Sequence, residues 1–234
     1  MTDKSTSLPH STTRTFRYGA SPEEATHAVI LLHGRGGGPS SVALPFCPIL
    51  LTSATASKLC ILAPAAEDRS WYPNPFSADW SKNEPYLNAA VERVEREVQQ
   101  LESTGITRDK IMIGGFSQGA CLTAKYIMTY PAKYWGIFIF SGALPGMFSY
   151  VENIVASGMP GDGVDLTGTR VLVGCGDADP LIMARAAEWT AGVIARTGAT
   201  VDKRIYPGLM HSICEDELEV LKDWVADMAA AGLQ

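Results

Sequence analysis

The feature that most constrains this chain is a repeated alternation of short apolar runs with longer amphipathic stretches. Ala28 to Leu32, Leu59 to Ala63, Ile111 to Ile113, Gly136 to Phe140 and Arg170 to Gly174 read as strands with no polar face. Strands that are apolar on both faces belong to a parallel sheet covered on two sides. The clearest helix lies between them. Leu87, Val91, Val94, Val98 and Leu101 step by four and three, which lines them up on one face of a 3.6-residue helix. Glu92, Arg93, Glu95, Arg96 and Glu97 occupy the faces between, and Gly105 fits the stop. Ala120 to Tyr130 is apolar nearly all round and predicts a buried helix. Ile182 to Thr197 reads as a helix, Val201 to Tyr206 as a strand and Glu215 to Ala230 as a closing helix. The order predicts an α/β fold of three layers around a mostly parallel central sheet.

With 234 residues, 46% of them hydrophobic, the chain can bury one sizeable core. We expect a single domain over 12–234 and a flexible tail over 1–11. The formal net charge is -6 and the pI about 5.2, and no Lys/Arg cluster offers a face for nucleic acid. No apolar run approaches the ~20 residues that span a bilayer, so stable membrane insertion is not expected. The polar stretch Met1 to Ser11 lacks the apolar core of a secretory signal. The 5 cysteines are odd in number and form no C-x-x-C pair, which points to free, mostly buried thiols and a cytoplasmic setting. The oligomeric state is left open, a homodimer included.

Chemistry concentrates where strands end, since ligands of a covered parallel sheet sit beyond the carboxyl ends of its strands. Gly115-Phe116-Ser117-Gln118-Gly119 is a G-x-S-x-G pattern between an apolar strand and a buried helix. A strand turning abruptly into a helix exposes its apex hydroxyl, and flanking glycines permit the close backbone approach. Ser117 is therefore the candidate nucleophile; the bland alternative is a tight Gly-Ser turn. A serine hydroxyl needs a base. Of His10, His27, His33 and His211, the last follows the final strand, in Pro207-Gly208-Leu209-Met210-His211, and is the best placed. His33 is read instead as shaping its glycine-rich loop. The imidazole needs an orienting carboxylate, and Asp177 and Asp179 both follow a strand; spacing barely separates them. A helix N-cap is the competing role, and it weighs more on Asp177. A developing oxyanion needs N–H donors, for which the backbones of Gln118 and Arg35 are candidates. The loop His33 to Gly38 lacks the Lys-Ser/Thr ending of a P-loop and the spacing of a dinucleotide fingerprint. A metal site built from His33, Asp179 and His211 matches no ligand motif.

At these residues the chain resembles the phospholipase/carboxylesterase family of α/β hydrolases, which contains acyl-protein thioesterases. The resemblance is carried by Leu31-Leu32-His33-Gly34-Arg35-Gly36-Gly37, Trp71-Tyr72-Pro73, Gly114-Gly115-Phe116-Ser117-Gln118-Gly119-Ala120, Asp177-Ala178-Asp179-Pro180 and Gly208-Leu209-Met210-His211. It implies the three-layer α/β-hydrolase fold, Asp179 as the acid, the N–H groups of Arg35 and Gln118 as the oxyanion hole, and no cofactor. Two positions depart from the family pattern: Cys175 stands where a histidine is frequent, and Arg35-Gly36-Gly37 replaces Leu-Gly-Asp.

The expected activity is hydrolysis of small-molecule or lipid-like acyl esters, thioesters included, of short to medium chain length. Trp71, Tyr72, Phe76 and Leu144, with Met147 and Phe148, are candidate walls of an acyl pocket; packing within loops is their alternative role. The chain is short for such a fold, so no large lid domain is expected. Other readings are a dienelactone-hydrolase-like lactone hydrolase, disfavoured by serine at position 117, and a non-catalytic binding module of the same fold.

Overall fold

A computed structural model describes residues 9–146 and 161–231. The chain runs β1 (Thr15–Gly19), β2 (His27–Leu32), α1 (Pro39–Leu50), β3 (Leu59–Pro64), α2 (Tyr86–Ser103), β4 (Ile111–Phe116), α3 (Gln118–Thr129), β5 (Gly136–Phe140), β6 (Arg170–Gly176), α4 (Ala184–Ala195), β7 (Thr200–Tyr206) and α5 (Glu215–Ala231). The sheet order is β1-β3-β2-β4-β5-β6-β7. Among the described residues only β1 pairs antiparallel, Thr15 opposite Pro64; β2 to β7 are parallel throughout.

Alternate side chains of one strand feed two separate cores, and this is why the runs lack a polar face. Ile30, Leu32, Ile111, Ile113, Ile137, Ile139, Val171 and Val173 pack against α2, α3 and α4. Val29, Leu31, Met112, Phe138, Phe140 and Leu172 pack on the other face, against Val42 and Phe46 of α1 and Leu221 and Val225 of α5. The three-layer α/β architecture expected from the alternation is present, in the α/β-hydrolase form that the resemblance implied.

Two elements escaped the sequence reading. Helix α1 contains Pro45 and Pro48, each lacking the N–H that continues the helical ladder. Its buried positions Val42, Ala43, Phe46 and Leu50 nevertheless keep helical spacing, and their packing overrides the prolines. Strand β1 is half-exposed and carries no apolar run; it forms because β3 offers a free edge.

Helix α2 buries part of its polar side as well. Arg93, Glu95 and Glu97 are buried rather than solvated. Arg93 pairs with Glu97 and donates to Thr15 Oγ1 at 2.6 Å, tying α2 to β1. Glu95 accepts from Tyr126 Oη at 2.8 Å and from Arg108 Nη2 at 2.5 Å. These charges around α2 are buried as pairs, since an unpaired one costs several kcal/mol. The helix stops at Gly105 (φ 95), where Ile106 N–H reaches back to Leu101 O at 3.1 Å.

The segment expected to be loose ends in an anchored residue. His10 is 1% exposed; its Nδ1 accepts from Glu67 N–H at 3.0 Å and its Nε2–H donates to Trp71 O at 2.9 Å. Residues 147–160, including Met147 and Phe148, lie outside the described residues. Among the described residues, no helix is long and apolar enough to cross a membrane.

Candidate active site

From β2 the chain moves to β3 on one side and later to β4 on the other. The loops leaving β2 and β4 therefore diverge, and the crevice between them is the switch point at which open α/β sheets bind ligands. Both the His33–Gly38 loop and Ser117 lie there.

Ser117 holds φ 57 and ψ -121, a conformation that costs about 1–3 kcal/mol for a residue with a side chain. Packing imposes it. Gly115 and Gly119 press against the end of β2, and a Cβ at either would run into the Leu32 carbonyl oxygen. The buried side chains of α3, Leu122, Tyr126 and Ile127, each contribute about 1.5–3 kcal/mol, enough together to outweigh the strain. Ser117 N–H donates to Phe140 O at 2.9 Å, so the elbow is also fastened to β5.

Three side chains from distant loops meet at this apex. His211 Nε2 lies 2.9 Å from Ser117 Oγ, and His211 Nδ1 lies 2.7 Å from Asp179 Oδ2. Asp179 Oδ1 accepts from the N–H groups of Leu181 (2.8 Å) and Ile182 (2.9 Å). Burial alone raises the Asp179 carboxyl; the Ile182 N–H, the imidazole and the Leu181 N–H more than offset it and hold it below the ordinary carboxylate range. An ionised Asp179 accepts a hydrogen bond from Nδ1–H and so leaves the Nε2 lone pair facing the hydroxyl. Asp177 points elsewhere: its Oδ1 accepts Gly208 N–H at 2.6 Å and staples the β6 loop to the β7 loop. The N-cap role weighed for Asp177 is not what it does, and cap-like bonds fall to Asp179 instead.

Gln118 is the first residue of α3, where the ladder leaves its backbone N–H without a helical partner. Arg35 sits in a loop pinned by Gly36 N–H on Arg69 O at 2.8 Å. The side chains of both residues have a task that the sequence did not reveal. Arg35 donates to the carbonyls of Tyr72 (2.9 Å), Pro73 (2.7 Å) and Asn74 (2.9 Å). Gln118 Nε2 donates to Tyr72 O at 2.7 Å, and its Oε1 accepts Trp71 N–H at 3.0 Å. Together they clamp the 71–74 segment over the site. This gives Arg35 a structural reason to stand where the family pattern has a leucine.

Beside Ser117 opens a cleft of about 400 Å³ lined by Tyr72, Pro73, Phe76, Cys121, Leu181 and Ile182. Tyr72 and Phe76 take the wall positions expected of them. Trp71 and Leu144 do not line this cleft. Trp71 is fully buried and donates Nε1–H to His33 O at 2.9 Å; Leu144 is buried, its N–H bonded to Thr190 Oγ1 at 2.9 Å. Both are scaffold, because indole and leucine side chains gain more from core packing than from a half-open wall. Leu181 and Ile182 were missed, although their place directly after the acid loop was a usable signal.

Trp71 packs between two imidazoles, His10 at 5.6 Å and His33 at 5.0 Å between ring centroids. His33 Nδ1–H donates to Gly34 O at 2.8 Å, and Nε2 accepts Ala66 N–H at 3.1 Å. With both nitrogens engaged it is unavailable to a metal, and no group of three potential metal ligands exists among the described residues. Burial, the largest cause in each case, lowers the pKa of His10, His27 and His33 below 6.5. A lowered histidine pKa supplies stability that is present above about pH 6.5 and lost as pH falls, because the unfolded chain takes up the proton first. Glu217, a buried carboxyl raised to about 7, works in the opposite sense. With that group removed, as in Glu217→Gln, the melting temperature is expected to fall from pH 7 to pH 5.5; a constant or rising value in a thermal melt series would contradict this.

A strained serine at a strand-to-helix turn, hydrogen-bonded through an imidazole to a carboxylate above a covered parallel sheet, defines the molecule as an α/β hydrolase in fold. Comparison with known proteins narrows this. Residues 18–229 match the family model described as phospholipase/carboxylesterase, and the chain belongs to that family. A phospholipase/carboxylesterase from Dyadobacter fermentans superposes with a TM-score of 0.79 at 31% identity, covering 92% of this chain and 96% of that one. A probable carboxylesterase of Arabidopsis thaliana, SOBER1-like, is 30% identical over 159 residues, 67% of this chain and 58% of the relative. The chain thus spans less than two thirds of that relative's length. A Bacillus cereus carboxylesterase shares the fold, with a TM-score of 0.69 at 19% identity.

Proposed function

We propose that this protein is a serine carboxylesterase in which Ser117, His211 and Asp179 form the catalytic triad. The observation that carries the reading is the unbroken hydrogen-bonded chain from hydroxyl to imidazole to buried carboxylate, 2.9 and 2.7 Å long. His211 Nε2 takes the Ser117 proton as Oγ attacks the acyl carbon, and Asp179 stabilises the imidazolium. The backbone N–H groups of Arg35 and Gln118 face the developing oxyanion, each worth about 3 kcal/mol of barrier. The imidazolium protonates the departing alcohol, or thiol in a thioester, and water then releases the acyl group by the same steps in reverse.

The cleft walled by Tyr72, Pro73, Phe76, Leu181 and Ile182 takes the acyl chain. Its apolar sides and open mouth favour short to medium chains of small-molecule or lipid-like esters. Five free thiols, three of them buried, fit a reducing, cytoplasmic setting. A fluorophosphonate probe is expected to label the protein once, at Ser117. A p-nitrophenyl ester series from acetate to palmitate should peak below the long chains. Absence of labelling sinks the catalytic reading, and activity rising steadily to palmitate sinks the chain-length assignment.

A further inference from the structure

Behind the triad lies a carboxyl group that the mechanism does not use. Glu217, in the first turn of α5, is fully buried. Its Oε2 accepts the Cys214 N–H at 2.9 Å, the donor that a capping carboxylate secures at a helix start. Its Oε1 has no partner. That oxygen lies against β6 at Gly174, where a Cβ would displace it. Ser141 Oγ, at the end of β5, is likewise buried without a partner, and the Ser141 N–H is bonded to Gly174 O at 2.8 Å. Cys214 is three residues beyond His211, so the bond from Glu217 fixes the far end of the short segment that carries the imidazole.

We propose that Glu217 is a positioning residue for His211: its carboxyl, seated between α5 and β6, holds the 211–214 segment in the register that places the imidazole against Ser117. The inference rests on the catalytic reading for its effect on turnover, but not for its effect on the imidazole. A buried oxygen without a donor disfavours the ionised form, since nothing replaces the water a carboxylate loses. Burial, the largest cause, accordingly lifts the Glu217 pKa to about 7.

The groups that face it act in both senses. Asp216 adds negative charge from the same helix turn and raises it further, while the hydrogen bonds from Cys214 favour the carboxylate and only partly offset its burial. Cys175 on β6 and Tyr206 on β7 interact with it electrostatically and are themselves raised. The nearby cation Arg204 is engaged by Asp202 and Asp216. Once ionised, the carboxylate gains by leaving its niche for water, and the Cys214 N–H loses its acceptor. A carboxyl whose folded pKa is raised contributes stability that is present below its unfolded pKa and lost as pH rises through 7.

The experiment compares the full-length wild type with Glu217→Ala and Glu217→Gln, by steady-state kinetics from pH 6 to pH 9 and by the NMR signals of the His211 imidazole. Glu217→Ala is expected to lower kcat at pH 6.5 at least tenfold with little change in KM, and to shift the imidazole signals. Glu217→Gln keeps an acceptor for Cys214 and cannot ionise. It should recover most of the lost kcat, return the signals towards wild type, and remove a fall in kcat and in melting temperature that the wild type shows above pH 7. The proposal is overturned if Glu217→Ala melts earlier with kcat unchanged, or if Glu217→Gln declines above pH 7 as the wild type does. If Glu217→Ala does not fold, the glutamine profile alone decides. If the wild type hydrolyses no ester, the functional reading has failed, and the imidazole signals still decide the role of Glu217.

Discussion

Ser117→Ala is expected to lower ester turnover on the order of 10⁴-fold or more while the protein remains folded. The size follows from the proposed chemistry: without Oγ no acyl-enzyme could form, and the proposed N–H donors at positions 35 and 118 would have no attacking oxygen to complement. The retention of fold follows from what anchors the elbow. Ser117 N–H to Phe140 O and Cys121 N–H to Ser117 O are backbone bonds that alanine keeps. Ser117 Oγ is bonded to His211 Nε2, so its removal should alter stability by no more than about 1 kcal/mol. Circular dichroism melts and p-nitrophenyl ester kinetics on one preparation check both halves. Activity within a hundredfold of wild type would show that another group attacks the ester.

Asp179→Asn is expected to cost on the order of 10⁴-fold in kcat. Asp179 Oδ1 already receives two backbone N–H groups, from Leu181 and Ile182. An asparagine in this place keeps its carbonyl oxygen on those donors and turns its NH₂ towards His211. The imidazole must then accept at Nδ1 and carry its proton on Nε2, where it can no longer take one from Ser117. Asp177→Asn serves as the contrast. That side chain accepts one N–H, from Gly208, and can do so as an amide, so its expected loss is less than about tenfold. A larger loss at 177 than at 179 in paired kinetic measurements would reverse the assignment of the acid.

The two aspartates show where the sequence stops being readable. Both follow β6, both precede the histidine, and only the direction of each side chain separates them. That direction corresponds to the long-range partner of each, His211 for Asp179 and Gly208 for Asp177, about 30 positions away, which spacing does not encode. Trp71 and Leu144 show the same limit from the other side. Each is apolar and near the site in the chain, yet whether a side chain faces a cleft or a core depends on neighbours contributed by other elements. Helix α1 was hidden by its prolines and β1 by its polarity, since in both cases packing overrode local preference.

Local chemistry alone determined the covered parallel sheet, the strand-to-helix turn at Ser117 and the place of His211 after the last strand. Doubly buried strands and a tight glycine-flanked elbow each demand particular residues at fixed short spacings. Spacing left the choice between Asp177 and Asp179 open and only the family resemblance named Asp179; only the tertiary structure decided that the Arg35 and Gln118 side chains clamp the 71–74 segment and that Glu217 is sealed behind the site. Those outcomes depend on through-space geometry and on burial, which arise only when distant segments close over one another and exclude water.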